Sequence, residues 1–306
     1  MYQEIKDELV NLLKQGKLKE AEPMKNHTTF RIGGPARFYA IPSTEEELIA
    51  VIQLCDQHGV PFFILGNGSN LLVSDEGFDG VMIEIKEQFS YCKFEEGELT
   101  TVTAGAGILL SKLAKEIAGR SLTGFEYEAG IPGTLGGAVA MNAGAYGGEI
   151  KDHIVSARIV TRDGKVKVLS KEELELGYRQ SVITKTADIV LEATFAFPKG
   201  KKEEILARIK DFNGRRREKQ PLEFPSAGST FKRPEGYFAG KLIQDAGLRG
   251  FRVGDIMVSE KHCGFVINVG QGTASQVKEL IAQVSREVEE QSGVTLEPEV
   301  RFVGKF

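Results

Sequence analysis

The chain has 306 residues, room for about two ordinary domains and a sizeable buried core. Hydrophobic residues at 41% and charged residues at 27% give the balance of a soluble globular protein, neither disordered nor fibrous. With 39 basic against 43 acidic residues the net charge is −4, which argues against generic binding to nucleic acid or anionic membranes, since both call for a basic excess.

In chain order, Ile5, Leu9, Leu12 and Leu13 recur at helical spacing, and Gly16 ends this first helix. The stretch from Met1 to Lys17 is charged and lacks a signal-peptide core, and no run reaches the roughly 18 apolar residues of a membrane span, so a cytoplasmic protein is expected. After an irregular segment, Lys25 to Pro35, comes a βαβ-like unit. Its parts are a strand from Ala36 to Ile41, a Ser43-x-x-Glu46 capping box opening a helix with Leu48, Val51, Ile52 and Cys55 on one face, a stop at Gly59, and a strand from Val60 to Leu65. The loop Gly66-Asn67-Gly68-Ser69-Asn70 then leads to the apolar run Leu71 to Val73.

Strands are expected over Gly80 to Ile85, Ser90 to Phe94 and Leu99 to Ala104, and a helix over Ile108 to Ala118. A glycine-rich stretch follows, then a hairpin made of Ile154 to Thr161, the turn Asp163-Gly164 and Val166 to Leu169, and a strand from Ile189 to Phe197. A polar helix from Lys201 to Lys219 marks a domain boundary. Beyond it lie a helix over Phe238 to Ala246, a strand over Cys263 to Val269, a strong amphipathic helix through Val277, Leu280, Ile281, Val284 and Val288, and a closing strand over Val300 to Val303. Strands and helices without strict alternation indicate an α+β fold.

Cys55, Cys92 and Cys263 are odd in number and show no C-x-x-C spacing, so neither a disulfide framework nor a zinc site is expected, and each reads as a buried small hydrophobe. His27, His58, His153 and His262 are scattered, so no metal site is expected, and His262 beside Cys263 reads as structural. Glycine stands out, with 35 residues of 306 against a usual share of about 7%. Gly66-x-Gly68 has Leu71 in the third place of a dinucleotide fingerprint and Gly105-x-Gly107 has Leu110 there, and there is no phosphate-loop lysine motif, so Rossmann and P-loop sites are set aside. The loop from Gly66 to Asn70 suits either an anion nest, with Ser69 and Asn70 adding side-chain donors, or a tight turn between strands. The segment Gly130-Ile131-Pro132-Gly133-Thr134-Leu135-Gly136-Gly137, with Asn142-Ala143-Gly144-Ala145-Tyr146-Gly147, leaves room for a flat ligand against backbone.

Six stretches together resemble the UDP-N-acetylenolpyruvoylglucosamine reductases. They are His27-Thr28-Thr29-Phe30-Arg31-Ile32-Gly33-Gly34; Leu65 to Asn70; Ala129 to Thr134 through Tyr146-Gly147; Gly177-Tyr178-Arg179-Gln180-Ser181; Ala227-Gly228-Ser229-Thr230-Phe231-Lys232; and Leu296-Glu297-Pro298-Glu299-Val300-Arg301. The resemblance implies a two-lobed FAD-binding domain of the vanillyl-alcohol-oxidase type over residues 1–200, with lobes of about 1–80 and 81–200. A C-terminal α+β substrate-binding domain would cover 201–306, its last strand returning to the active site. Only Val182 to Asp188 follow Ser181 before the next strand, too few for the substrate-gripping insertion of one branch of the family, so the chain resembles the compact second type.

By the same resemblance FAD is held non-covalently by Arg31, Gly66, Asn67, Gly68, Ser69, Asn70, Gly130, Ile131, Pro132, Gly133, Thr134, Gly137, Ala143 and Gly144. Hydride passes from NADPH by way of FAD to the enolpyruvyl group of UDP-N-acetylglucosamine enolpyruvate, a step of peptidoglycan synthesis, and a carbanion develops beside the substrate carboxylate. Arg179 would clamp that carboxylate, Glu299 would share a proton near it, and Ser229 would protonate the carbanion. Lys219, Lys232 and Arg233 would bind substrate, whereas Arg215, Arg216 and Arg217 suit a solvated helix face equally well. The partners expected are the small molecules NADPH and the enolpyruvyl nucleotide sugar, acting on a monomer with no metal, nucleic acid or membrane. A flavin oxidase of the same fold and a catalytically idle nucleotide-binding module are the rival readings, the second disfavoured by Arg179, Ser229 and Glu299 together.

Overall fold

The computed structural model describes Tyr2–Phe306; Met1, the start of the expected N-terminal helical pattern, lies outside the described residues. The chain forms two compact units, each discontinuous in sequence. Unit 1 comprises the residues up to Lys19, Phe38–Asn67 and Gly80–Arg215; unit 2 comprises Glu20–Arg37, Gly68–Asp79 and Arg216–Phe306.

Unit 1 holds a mixed sheet in the order β1-β2-β5-β3, from β1 (Lys17–Pro23), β2 (Pro35–Ile41), β3 (Phe62–Leu65) and β5 (Phe78–Glu84), with β3 and β5 parallel. The helices α1 (Tyr2–Leu12) and α2 (Glu45–Gln57) bury Ile5, Leu9, Leu48, Val51, Ile52 and Cys55 in the core that also holds Phe38, Val81 and Ile83. A second, antiparallel sheet has the order β11-β10-β12-β7-β6. Its strands are β6 (Cys92–Glu95), β7 (Thr100–Gly105), β10 (Ile154–Val160), β11 (Val166–Ser170) and β12 (Ile189–Phe197), and the hairpin of β10 and β11 closes on Asp163-Gly164 as expected. Helix α3 (Leu110–Gly119) buries Leu110, Leu113, Ala114, Ile117 and Ala118, the one-face spacing that made it legible. The short helices α4 (Leu135–Ala140) and α5 (Val182–Thr186), the two-stranded β8 (Gly144–Ala145) and β9 (Gly148–Glu149), and the polar α6 (Lys202–Lys219) complete the elements that begin in this unit.

Unit 2 is built on a sheet of order β13-β16-β15-β14, from β13 (Ser226–Ser229), β14 (Arg252–Val253), β15 (Ile256–Val258) and β16 (Phe265–Asn268). Helix α7 (Ala239–Asp245) and the long α8 (Ala274–Ser292) belong to it, and α8 buries Val277, Leu280, Ile281, Val284 and Val288. A reciprocal capping box between Thr273 and Gln276 starts α8, and Gly293 at φ +69° ends it. Asp75 adds a second cap by accepting from the amides of Ala274 and Ser275 at 2.7 and 2.9 Å. The final strand β17 (Arg301–Val303) runs parallel to β4 (Leu71–Val73).

Three expectations need correction. The cap of α2 is Thr44, whose hydroxyl accepts from the Glu47 amide at 3.2 Å; Ser43 instead donates its hydroxyl to the Gln15 carbonyl at 2.9 Å. Strands β2 and β3 are not neighbours, because β5 lies between them, so the βαβ-like reading fails at sheet order. Strand β1 was not foreseen: Lys17-Leu18-Lys19-Glu20-Ala21-Glu22-Pro23 is a polar, largely exposed edge with no alternating apolar face. Of the cysteines, Cys55 and Cys263 are buried as expected, and Cys92 is half-buried.

Glu47 is the buried charge that ties the first helices together. Its carboxylate accepts from the amides of Gln15 at 2.7 Å, Ser43 at 2.8 Å and Gly16 at 3.3 Å. Burial pushes its pKa up, but the backbone donors pull harder and hold it below the usual glutamate value. Glu47→Gln should therefore cost about 1–3 kcal/mol of folding stability at neutral pH, because a neutral amide replaces a charge-assisted acceptor. In urea melts the gap from the parent should be full above the ordinary carboxylate range and close as pH falls through the depressed value.

Candidate active site

The two glycine-rich segments of unit 1 meet with the Gly66 backbone against the Thr134 side chain. A Cβ on Gly66 would stand 2.1 Å from Thr134 Oγ1, and Asn67 donates its side-chain amide to the Pro132 carbonyl at 2.7 Å. A side chain on Gly66 would force the Thr134 hydroxyl or the loop to move. The segment Gly133–Leu135 is itself pinned, since the Gly133 carbonyl accepts from Leu110 at 3.0 Å and the Leu135 amide donates to Ile108 at 2.9 Å. Among the described residues nothing accepts from the amides of Gly66, Asn67, Gly133 or Thr134. A ribbon of unused donors along a tight loop is what an anionic pyrophosphate and the polar edge of a flavin require, so these residues fit FAD. Gly137 adds an open, exposed position, with nothing within 4 Å of a Cβ built there.

Gly68, Ser69 and Asn70 begin the second segment of unit 2. Gly68 has φ +63°, and a Cβ on it would come within 2.1 Å of the His27 carbonyl oxygen. Its amide and those of Ser69 and Asn70 also meet no acceptor among the described residues. The Asn70 side chain differs from its expected use as a loop donor, because Nδ2 donates to the Glu299 carbonyl at 3.1 Å.

Arg179 sits at the tip of a tight turn in unit 1. Gly177 and Gln180 bond to each other through both backbone groups, at 3.1 and 3.3 Å, and Arg179 lies between them with φ +55°. That conformation costs a non-glycine residue roughly 1–2 kcal/mol and marks a position held by its surroundings. Its Nη2 donates to the Gly144 carbonyl at 3.3 Å, next to Ala143, which is buried and anchored by its amide on Ala138 at 2.8 Å. Backbone geometry thus places Arg179 in a turn and not in a strand. The segment after Ser181 is the single-turn α5, its hydroxyl-lined cap formed by Ser181 and Thr184.

In unit 2 the other two expected catalytic residues come together. Ser229 ends β13 opposite Phe265, exposed and beyond an irregularity at Gly228, which has φ +77°. The next residues pair with the segment before β17. Glu299 donates its amide to the Thr230 carbonyl at 2.8 Å, Phe231 bridges Pro298, and Lys232 donates its amide to Glu297 at 2.8 Å. Thr230, buried, locks this arrangement by donating its amide to Gly264 at 2.9 Å and accepting from the Val266 amide at 3.0 Å. Glu299 is thus not one position of a regular alternating strand. Glu297 holds the Lys232 ammonium in an ion pair.

The remaining expected site residues of unit 2 each have their own surroundings. Lys219 is exposed at the end of α6; Arg233 donates Nε to the Tyr237 carbonyl at 3.2 Å and lies 4.0 Å from the Phe238 ring. Arg216, unlike a solvated helix residue, is buried, whereas Arg215 pairs with Asp211 at 2.8 Å. Arg31, at φ +56°, lines a cavity of about 800 Å³ within unit 2 together with Lys25, Thr28, Asp75, Asn268 and Gly270. The loop closing that cavity is satisfied internally, with Asn268 Oδ1 accepting from Gly270 and Gly272 and Asp255 accepting from Gln271. His262 accepts at Nδ1 from the Gly264 amide at 3.0 Å, and burial, with Lys219 nearby, holds it below the usual imidazole range. Among the described residues no group of three or more His, Cys, Asp or Glu side chains could hold a metal, and no helix is long and apolar enough to cross a membrane.

Fold and donor-lined loops are those of an α+β protein with an FAD-binding domain. Residues 36–170 match the FAD-binding domain family, and residues 220–303 match the C-terminal domain family of UDP-N-acetylenolpyruvoylglucosamine reductase. The chain is 57% identical over 304 residues to the UDP-N-acetylenolpyruvoylglucosamine reductase of Lachnoclostridium phytofermentans, covering 98% of this chain and 97% of that one. Against the reductase of Alkaliphilus oremlandii the identity is 55%, covering 93% and 92%. The crystal structure of the reductase from Thermus caldophilus aligns with a TM-score of 0.79 at 37% identity, over 94% of this chain and 98% of that one. A solvent-stable cholesterol oxidase aligns with a TM-score of 0.51 at 17% identity, over 62% and 39%, a likeness of fold alone. The chain belongs to the UDP-N-acetylenolpyruvoylglucosamine reductase family.

The Gly66 contact generates a two-way test. Gly66→Ala should push the loop off Thr134 and release FAD, read as loss of flavin absorbance on gel filtration with the far-UV spectrum retained. Thr134→Ala removes the oxygen that the new methyl would strike, so the double substitution should recover much of the bound flavin.

Proposed function

We infer that three side chains of this chain, Arg179, Ser229 and Glu299, carry its reaction. The chain is an FAD-dependent reductase that converts the enolpyruvyl group of UDP-N-acetylglucosamine enolpyruvate to UDP-N-acetylmuramate with NADPH as reductant, in peptidoglycan synthesis. The observation that carries the assignment of roles is the backbone pairing of Thr230 with Glu299, which sets Ser229 and Glu299 on adjoining segments of unit 2. When bound, FAD would supply the hydride chemistry that links NADPH to the substrate double bond.

The protein residues manage charge and protons. As hydride arrives at the terminal carbon, negative charge spreads from the adjacent carbon into the carboxylate. Arg179 offers a planar, permanently charged fork to that carboxylate, fixed by the turn that holds it. Glu299 shares a proton at the same group, which avoids setting two bare carboxylates against each other. Ser229, exposed at the end of its strand, needs only placement to pass its hydroxyl proton to the carbanion, and brings no charge of its own. Backbone amides of Gly66 to Asn70 and of Gly133 and Thr134 hold the pyrophosphate and flavin edge, and Lys219, Lys232 and Arg233 face the substrate phosphates. For Lys232 this requires substrate to displace Glu297. We take residues 1–200 as the cofactor domain, the remainder as the substrate domain, and the enzyme as a cytoplasmic monomer acting on small molecules.

Arg179→Ala and Glu299→Gln should each lower turnover by about 10²- to 10³-fold, the scale of one lost transition-state stabiliser, while NADPH still reduces the flavin at a near-parental rate in stopped flow. Slowed flavin reduction would remove both residues from the substrate half of the reaction. Ser229→Ala should bind FAD and accept hydride normally, yet reoxidise with substrate roughly 10²- to 10⁴-fold more slowly; Ser229→Cys, which keeps a proton in place, should fall less. Anaerobic single-turnover reoxidation of Ser229→Ala within a few-fold of the parent would take Ser229 out of the mechanism.

A further inference from the structure

One buried asparagine ties the Arg179 turn to the glycine-rich segment. Asn142 is fully buried and adopts φ +45°, a left-handed conformation that asparagine tolerates better than most residues. Both of its side-chain donor hydrogens and its side-chain oxygen are engaged. Nδ2 donates to Glu149 Oε2 at 3.0 Å and to the Gly177 carbonyl at 2.9 Å, and Oδ1 accepts from the Lys151 amide at 3.0 Å. Gly177 opens the turn with Arg179 at its tip, and Glu149 pairs with Gly144, whose carbonyl receives the Arg179 guanidinium at 3.3 Å. The contacts form a closed ring: Asn142 to Gly177, through the turn to Arg179, across to Gly144, over the hairpin to Glu149 and back. Glu149 Oε2, which Nδ2 meets, also lies 2.5 Å from Lys151 Nζ.

We propose that Asn142 is a positioning residue for the reductase reaction, holding the Gly177–Gln180 turn against the Gly144–Glu149 hairpin so that the Arg179 guanidinium stands at one place. The proposal rests on the role given to Arg179 above. A turn whose tip residue is held in an unfavourable backbone conformation keeps that geometry only while its neighbours enforce it, and Asn142 is the side chain that grips the turn's own carbonyl. Asn142→Ala removes the grip. Asn142→Asp keeps the size and the acceptor for Lys151 but replaces the donor with a charge facing Glu149 and the Gly177 carbonyl.

The test uses FAD-loaded enzyme and two anaerobic half-reactions, flavin reduction by NADPH and reoxidation by the enolpyruvyl substrate. Asn142→Ala and Asn142→Asp should slow reoxidation by about 10- to 100-fold, the reach of a misplacement near 1 Å, and leave NADPH reduction within about threefold of the parent. On an Arg179→Ala background, adding Asn142→Ala should cost less than about threefold more, since no guanidinium remains to be positioned. Full additivity, equal slowing of both half-reactions, or loss of FAD from both Asn142 variants would make Asn142 a purely structural residue and overturn the proposal. Normal Asn142 variants beside a slow Arg179→Ala would overturn it too while leaving the role of Arg179 intact; a parental Arg179→Ala would remove that role and the proposal with it.

Discussion

A backbone amide can serve a ligand only if no neighbouring atom of the chain has already claimed it and no side chain screens it, and in unit 1 both conditions hang on the contact between Gly66 and Thr134. The hydrogen on Gly66 lets the loop lie against the Gly133–Leu135 segment at a separation a methyl group would break. That segment cannot retreat, being bonded to Ile108 and Leu110 and followed directly by α4. The loop in turn extends β3, a strand of the sheet on which α1 and α2 pack. Core packing thus fixes two backbone segments, and their close approach leaves a set of aligned donors with no internal partner.

Around Arg179 the same economy of space takes another form. Asn142, Tyr146 and Arg179 all have positive φ without being glycine, and all belong to the glycine-rich segment or the turn that contacts it. Tyr146 stacks on Phe212 of α6 with ring centroids 4.7 Å apart and planes 1° from parallel, a contact that offsets part of the strain in its backbone. Nearby, Glu126 is buried and held below the usual carboxylate range despite its burial, because Arg208, Thr123 and the Gly124 amide all donate to it. Strain gathered in one place and compensated by buried polar networks is the pattern of a preorganised site.

Unit 2 solves a different problem, that of presenting a neutral hydroxyl and a carboxyl from segments far apart in sequence. Thr230 is the pivot: three of its polar groups are bonded, to Gly264, Val266 and Glu299. Because those bonds are main-chain on at least one side, they tolerate change in the flanking side chains while keeping Ser229 and Glu299 in register. Asn70 adds a further tie through the Glu299 and Arg301 backbone.

The amphipathic helices were legible from sequence because one face of each is buried, and so was β12, whose nine residues alternate between buried and half-buried along most of their length. Glycine spacing marked where backbone approaches backbone, and six motifs in order marked the family. Strand β1 and the sheet position of β5 were not legible: an exposed edge has no apolar period, and sheet order depends on pairings between distant segments. Spacing by itself could not separate Glu297 from Glu299, two identical residues at alternate positions, of which one binds Lys232 and the other follows the Phe231–Pro298 bridge; only the family resemblance singled out Glu299. Asn142 was visible only as an asparagine before glycines. The sequence by itself determined the chemistry on offer, since residue types and local periodicity are local properties. Tertiary structure alone decided which amides stay unpaired, which carboxylate holds a lysine and which asparagine grips the turn, because each depends on hydrogen bonds and packing between residues distant in the chain.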